Sequence, residues 1–539
     1  MSGSAQENSP GRIPSRSLLA VAALYLAVTL PFLGGPALFD PDEGYYPETA
    51  REMIAGGDWL DPVFNGAPRW GKPVGFYLAD AVSMSALGTS EFAARLPSLL
   101  AGLGLALVTA LIGAALFGPG TGVLAGVFCA SAVQTALYSR SAVPDMFLAL
   151  FVALSLLAFL RATLGRNRPG GPWLWVMYLS AGLAFLSKGP LGAILPAIVI
   201  GSFLPAARQW RRFIELKPLR GLLLFLAVVT PWYVYMYSLH GRDFMVEHFI
   251  GRNLERYFTD RWEHSGPLWY YVPVLAAGTF PWTVAFVAGL VSSARGAISR
   301  SRLDRSHLFL LCWLLGMLVF FSFSRSKLPN YVLPLYPAAL VIAARLVSRL
   351  NEQGARVRGL AIAWTTSAVA ALLVTVGAGI LSRKLGEPQF VLLLWLSPLA
   401  LIAAAAALVH LGRGGIRNWA WGCALAMAVF FAVLTGAAIP RLDSLQAVRQ
   451  LAADSQGLLP PGENVAAWRV WSPSFLFYTG TRAYRFNPEE ESWPPDSAPG
   501  IEWVLTRPSA VVEVERITGK RPSLVLGRDR FVLLRLEAE

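Results

Sequence analysis

Apolar runs of about 20 residues recur from Ser17 to about Pro440, and this repetition leaves few folds open. A helix of that length crosses about 30 Å of hydrocarbon. In that medium only helices and closed barrels satisfy their own backbone, and runs this long read as helices. About 13 spans are expected, roughly over 17–35, 93–117, 119–139, 142–161, 173–187, 189–206, 221–239, 267–290, 307–323, 329–348, 359–381, 390–412 and 419–439. The stretch 74–91 is less apolar, holds Asp80, and reads as an interfacial helix. Only 15% of the 539 residues are charged, against about a quarter in soluble domains. The expected class is a polytopic α-helical membrane protein.

A net charge of +13 would suggest nucleic acid in a soluble chain. Here it follows the positive-inside rule. The segments RATLGRNRPGG, RQWRRFIELKPLRG, SSARGAISRSRLDRS, SRLNEQGARVRG and GRGGIRN all carry excess Arg or Lys. With the tail 1–16 inside and 13 crossings, each falls on the cytoplasmic side. The loop 36–91 and the loop 240–266 then lie outside. Leu18 to Leu33 is followed by no A-x-A-like site, so an uncleaved first span is expected. Residues 17–440 form the embedded domain.

After Pro440 the composition turns mixed, with alternating runs at Val465–Val470, Trp503–Thr506, Ser523–Leu526 and Phe531–Leu536. Helical patterns lie at 443–454 and 508–517. Residues 441–539 therefore read as a small soluble α/β domain, placed outside the membrane by the crossing count, which is the periplasm if the host is Gram-negative. Cys129, Cys312 and Cys423 each lie within an apolar run and read as small buried residues. No Walker A sequence and no GxGxxG after a strand is present, so nucleotide hydrolysis is unsupported.

Chemistry concentrates at the outer face. The stretch FDPDEGYYPETAREMIAGGDWLDPVFNGAPRWGKP gathers Asp40, Asp42, Glu43, Glu48, Glu52, Asp58 and Asp61. A carboxylate such as Asp42 or Glu43, partly desolvated there, can take a proton as general base. A single Asp is more often a solvated loop charge; the clustering beside Tyr45 and Tyr46 argues for use. Lys72, Lys188 and Lys327 lie at the outer ends of predicted helices, against the positive-inside trend. Snorkelling to headgroups explains one such lysine. Three converging lysines suit a lipid-linked phosphate better. Arg140 and Asp145 share the turn SRSAVPDMF, where Asp145 either serves the site or pairs locally with Arg140 or a lysine. The loop HGRDFMVEHFIGRNLERYFTDRWEHSGP offers Glu247, His248, Arg252 and Arg256. Arg252 and its neighbours suit a phosphate or an acidic acceptor. An amphipathic interfacial helix is the alternative. A divalent metal through His248 and a carboxylate is conceivable chemically, although no H-x-x-x-H spacing supports it.

The motifs PDEGYYPETAREMIAGGDW, NG, KP, RLPS, SAVPDMF, LAFLSKGP, PWY, EHF, YYVPVL, FPW and SKLPNYVLPLYPA keep one order over residues 18–340. In this the chain resembles the bacterial aminoarabinose transferases that modify lipid A. More broadly it is similar to polyprenyl-phosphate-sugar-dependent glycosyltransferases related to protein O-mannosyltransferases. The resemblance implies a GT-C fold with 13 transmembrane helices, juxtamembrane helices in the first outer loop and a C-terminal periplasmic α/β domain. It implies that Asp42 is the catalytic or acceptor-positioning carboxylate and that Lys72 holds the donor phosphate. It also implies that Asp145, Lys188, His248, Lys327 and Tyr331 line the donor cavity. Two positions depart from that family. Gly71 stands where it has a metal-site Glu, and Tyr45 stands where it has a phosphate-binding Arg.

The expected activity is inverting transfer of a sugar from undecaprenyl phosphate to a periplasmic acceptor such as lipid A. The sugar is 4-amino-4-deoxy-L-arabinose or another hexose or pentose. A protein or cell-wall glycan acceptor is the nearest alternative. A transporter of lipid-linked sugars would place ionisable groups near the midplane, often with inverted repeats. No repeat is visible, and no nucleic-acid partner is expected.

Overall fold

The computed structural model describes residues 12–164, 171–259, 265–298, 304–353, 415–441, 443–487, 493 and 500–537. The expected spans at 359–381 and 390–412 lie outside the described residues. The chain divides into two compact units. The first comprises Met1–Pro31, Trp70–Gly75 and Ser98–Ala432; the second comprises Phe32–Arg69, Phe76–Pro97 and Val433–Glu539.

The first unit is helical and opens with α1, Ser15–Thr29. Across the chain's described residues, six helices are long and apolar enough to cross a membrane, or up to eight if each of two bent pairs is one span. The expected span 119–139 is one such pair, bent by 59° where Ala132 turns extended between two helices. The expected span 267–290 is the other, bent by 118°. Pro281, which has no N–H to give a helix, sits in that break. The helices Pro172–Lys188 and Leu191–Ala206 meet at Gly189, whose φ of 77° only glycine adopts without strain. The helix from Pro218 breaks at Gly241 (φ 61°, ψ −144°) and continues through a π-helical stretch, Val246–Leu254. Apolar periodicity carries no signal for such breaks.

The second unit holds the charged stretch and the sheet. The stretch is ordered as helix α2, Asp42–Gly56, with Asp42 and Glu43 in its first turn. Acidic groups there face the positive end of the helix dipole. Gly57 ends it in the left-handed region, the usual glycine stop. A short hairpin follows, β1 (Val63–Phe64) with β2 (Ala67–Pro68), and then α3, Gly75–Leu87. Asp80 on α3 is fully buried, and neither carboxylate oxygen has a hydrogen bond among the described residues. Burial, with the charge of Glu43 adding to it, holds this carboxyl well above the usual range.

The sheet contains β3 (Asn464–Trp468), β4 (Arg482–Phe486), β5 (Trp503–Thr506), β6 (Pro522–Arg528) and β7 (Phe531–Leu536). Their order is β4-β3-β5-β7-β6. β3 pairs in parallel with β4 and β5, while β7 pairs antiparallel with β5 and β6. Alternation along each strand fills two cores. One holds Ala466, Trp468, Phe486, Val504 and Leu534; the other holds Val465, Trp503, Leu505 and Leu533. The helix Asp443–Asp454 packs on the second of these through Leu451.

Glu48 gives this unit a pH dependence. Its carboxylate accepts two 2.7 Å hydrogen bonds from Arg51. Burial nevertheless outweighs Arg51 and raises its pKa from 4.5 to about 7, with Glu52 adding to the rise. The folded state then binds a proton that the unfolded chain has released between pH 4.5 and 7. Its stability contribution is full below pH 4.5 and is lost as pH rises through 7. Glu48→Gln removes that slope. Unfolding midpoints of the two proteins, taken from pH 4.5 to 7.5, are expected to converge on that account only at the acid end once offset for the substitution; parallel curves throughout contradict it.

Candidate active site

In the first unit the segment Trp70–Gly75 carries Lys72, which is half-buried. A Cβ on Gly75 would lie 2.7 Å from the Leu186 carbonyl oxygen, so this glycine permits close approach to the end of the helix Pro172–Lys188. The Trp70 carbonyl accepts from Nδ1 of His248 at 2.7 Å. Since a carbonyl can only accept, Nδ1 carries the proton. Nε2 lies 2.9 Å from the Tyr233 hydroxyl, which donates to it when the ring is neutral. Lys72 is near enough to bear on the charge of His248.

Asp145 begins the helix Asp145–Leu164 and Lys188 ends the helix Pro172–Lys188. Each therefore sits where its helix dipole favours its charge. Both are buried, and they form an ion pair. Arg140 turns elsewhere: its guanidinium caps the end of α1 through the carbonyls of Thr29 (2.6 Å) and Pro31 (2.7 Å). Lys188 Nζ lies 5.3 Å from the Tyr331 ring centroid and Arg256 Cζ lies 5.8 Å from it. Tyr331 thus draws two cations to one ring. Lys327 is buried and donates to the Ser324 carbonyl. The Arg325 N–H donates to the Tyr257 carbonyl at 2.9 Å, fixing that segment to the helical turn that carries Arg256. Asn253 lies beside Gly189 and donates to the His248 carbonyl at 2.6 Å. Arg252 is half-exposed and pairs with Glu247 at 2.6 Å.

These contacts bring Lys72, His248, Lys188, Asp145, Tyr331 and Lys327 into linked surroundings, with Arg256 added and Arg252 turned to a local pair. A divalent metal does not fit the residues present. Both nitrogens of His248 are engaged, Gly71 offers no side chain, and no group of three His, Cys, Asp or Glu among the described residues could hold an ion.

In the second unit Asp42 is exposed at the start of α2, and its carboxylate has no hydrogen-bond partner among the described residues. Glu43 is buried. Its oxygens accept from Arg95 Nε (3.0 Å), Arg95 Nη2 (2.8 Å) and the Phe39 N–H (3.0 Å). Arg95 also donates to the carbonyls of Leu33, Pro36 and Ala37 at 2.8–3.0 Å. Arg95 was open to recognition as a lone charge within the apolar run 93–117. Arg69 lies 4.1 Å from the Tyr45 ring, so Tyr45 faces a cation from the same loop.

Residues 68–235 match the family described as dolichyl-phosphate-mannose-protein mannosyltransferase. An undecaprenyl phosphate-alpha-4-amino-4-deoxy-L-arabinose arabinosyl transferase of Pseudomonas aeruginosa is 31% identical over 86% of this chain and 84% of its own length. The chain belongs to that transferase family. Its counterpart in Edwardsiella ictaluri is 29% identical over 84% of this chain and 83% of its own. Among solved structures, ArnT from Cupriavidus metallidurans bound to undecaprenyl phosphate shares the fold, with a TM-score of 0.82 at 24% identity, covering 96% of this chain and 97% of that one. An Archaeoglobus fulgidus oligosaccharyltransferase shares it more distantly, with a TM-score of 0.52 at 12% identity over 93% of this chain and 70% of that one. The arabinosyl transferase family and the shared fold together make this a GT-C glycosyltransferase of the membrane.

Proposed function

We propose that the chain transfers 4-amino-4-deoxy-L-arabinose, or a close relative of that sugar, from undecaprenyl phosphate to lipid A at the outer face of a bacterial inner membrane. The observation that carries the reading is the cationic surround of Tyr331 in the first unit of an arabinosyl transferase family member. Lys72, Lys188, Lys327 and Arg256 supply positive charge for a lipid phosphate. In the reaction the acceptor oxygen bonds to C1 of the sugar as the bond from C1 to the phosphate oxygen breaks, with inversion. Asp42 takes the acceptor proton, and the electron pair leaves with undecaprenyl phosphate. Lys72 stabilises the charge that grows on that leaving oxygen. Glu43, already held by Arg95, fixes the helix start from which Asp42 projects. Thirteen crossings and a periplasmic domain formed around residues 441–539 complete the reading.

Mass spectrometry of lipid A and polyprenyl-phosphate pools from cells with and without the gene tests it. The deletion is expected to lose one lipid A modification and accumulate one polyprenyl-phosphate sugar. Asp42→Asn is expected to lower transfer by about 10²–10⁴-fold, the range for a general base. Lys72→Ala is expected to lower it by about 10²–10³-fold with normal insertion. Wild-type turnover in either variant removes that residue from the mechanism. The family match over residues 68–235 supports a second reading, a protein acceptor. Glycopeptides lost on deletion, with lipid A unchanged, would select it.

A further inference from the structure

The carboxylate proposed to take the proton has no protein partner of its own among the described residues, so the backbone at the start of α2 alone aims it. That start is held from far along the chain. Asp40, two residues before Asp42, has both carboxylate oxygens filled. Oδ2 accepts from the hydroxyls of Ser472 and Ser474, the latter at 2.6 Å, and Oδ1 accepts from the Ser474 N–H at 2.8 Å. The first turn of α2 lies flat against the same residues. A Cβ on Gly44 would stand 2.4 Å from the Ser474 nitrogen and 2.8 Å from the Pro473 carbonyl carbon, which backbone cannot yield. One residue on, Tyr45 accepts from Trp471 Nε1 at 2.6 Å.

The far side of α2 is tied to the same sheet. Glu52 accepts from the N–H groups of Asn65 (2.5 Å) and Gly66 (2.9 Å) in the hairpin. Asn65 in turn exchanges two hydrogen bonds with the backbone of Ala483 on β4, at 2.6 and 2.9 Å. Residues 40–66 are thus gripped at both ends by residues 471–483. A domain appended only for solubility has no reason to saturate a carboxylate two positions from the catalytic one.

We infer that the turn Ser472–Ser474 is a positioning element for the transfer reaction: by holding Asp40 it sets where Asp42 points. The inference rests on the reading of Asp42 given above. Loss of the two hydroxyls frees the helix start by a fraction of an ångström to an ångström, enough to cost about 10- to 100-fold in turnover.

The test uses the purified full chain with undecaprenyl phosphate-linked 4-amino-4-deoxy-L-arabinose and lipid A. Ser472→Ala/Ser474→Ala is expected to lower kcat about 10- to 100-fold and leave the donor KM within about twofold. On an Asp42→Asn background the same pair is expected to cause no further loss, because both changes act through one carboxylate. Wild-type kcat in the serine double variant, or an equal loss on both backgrounds, overturns the inference. Should the double variant fail to fold, Ser474→Ala alone, which retains the Ser474 N–H and Ser472, is read by the same cycle. An active Asp42→Asn protein overturns the underlying reading and this inference together. An inactive one beside an unaffected serine variant overturns this inference alone.

Discussion

Arg95→Met is expected to destabilise the second unit by about 3–5 kcal/mol and to abolish transfer. The residue is fully buried, and all five of its N–H donors are used: two on Glu43 and three on the carbonyls of Leu33, Pro36 and Ala37. Its removal leaves Glu43 buried and without the Arg95 countercharge, which is the costly way to break an ion pair. It also leaves three carbonyls without that donor. The first visible result is faster amide exchange over residues 33–45, since the Phe39 N–H relies on Glu43. Arg95→Lys keeps the charge but lacks the planar fork, so it recovers part of the stability and little of the transfer. Arg95→Met with Glu43→Leu removes both charges and is expected to regain the part of the unfolding midpoint lost to the stranded carboxylate, while the three carbonyls and the Phe39 N–H still lack these partners. A wild-type midpoint for Arg95→Met alone would show that Glu43 finds another partner.

That hub marks where the sequence could and could not be read. Apolar runs gave the helices because hydrocarbon thickness sets their length, as in Glu91–Phe117 and Asp145–Leu164. They did not give the 59° bend at Ala132, since an extended residue between two apolar helices leaves the composition unchanged. The strands Trp503–Thr506 and Phe531–Leu536 were legible from their β-rich runs. β4, Arg482–Phe486, was not, because its two arginines and short length hide the alternation. For the site, residue type pointed to Lys188 and Asp145, and the choice of partner needed the fold: Arg140 caps α1 while Lys188 takes Asp145. Asp40 shows the same limit, because its partners lie more than 400 residues away and nothing local announces them. Arg252 illustrates the reverse case, a cation of the right type that local geometry gives to Glu247.

The Lys188–Asp145 pair separates structure from chemistry more sharply than any other. Both side chains are buried at helix ends, so Lys188→Met leaves an uncompensated carboxylate and is expected to cost about 3–5 kcal/mol. Low activity in that variant alone would therefore say little about phosphate binding. Lys188→Met with Asp145→Leu removes both charges and is expected to restore most of the unfolding midpoint, since apolar replacement of a buried pair is often neutral. The two roles now diverge. If the pair only joins the helices, transfer returns with stability. If Lys188 also faces the lipid phosphate from beside Tyr331, 5.3 Å away, turnover stays about 10²–10³-fold low while the protein is stable. Asp145→Asn distinguishes the partner's share: Lys188 keeps its charge but loses the carboxylate that holds it, so donor KM rises while the residual pH profile keeps its shape. Recovery of transfer in the double apolar variant would move Lys188 out of the phosphate site and leave Lys72, Lys327 and Arg256 to carry it.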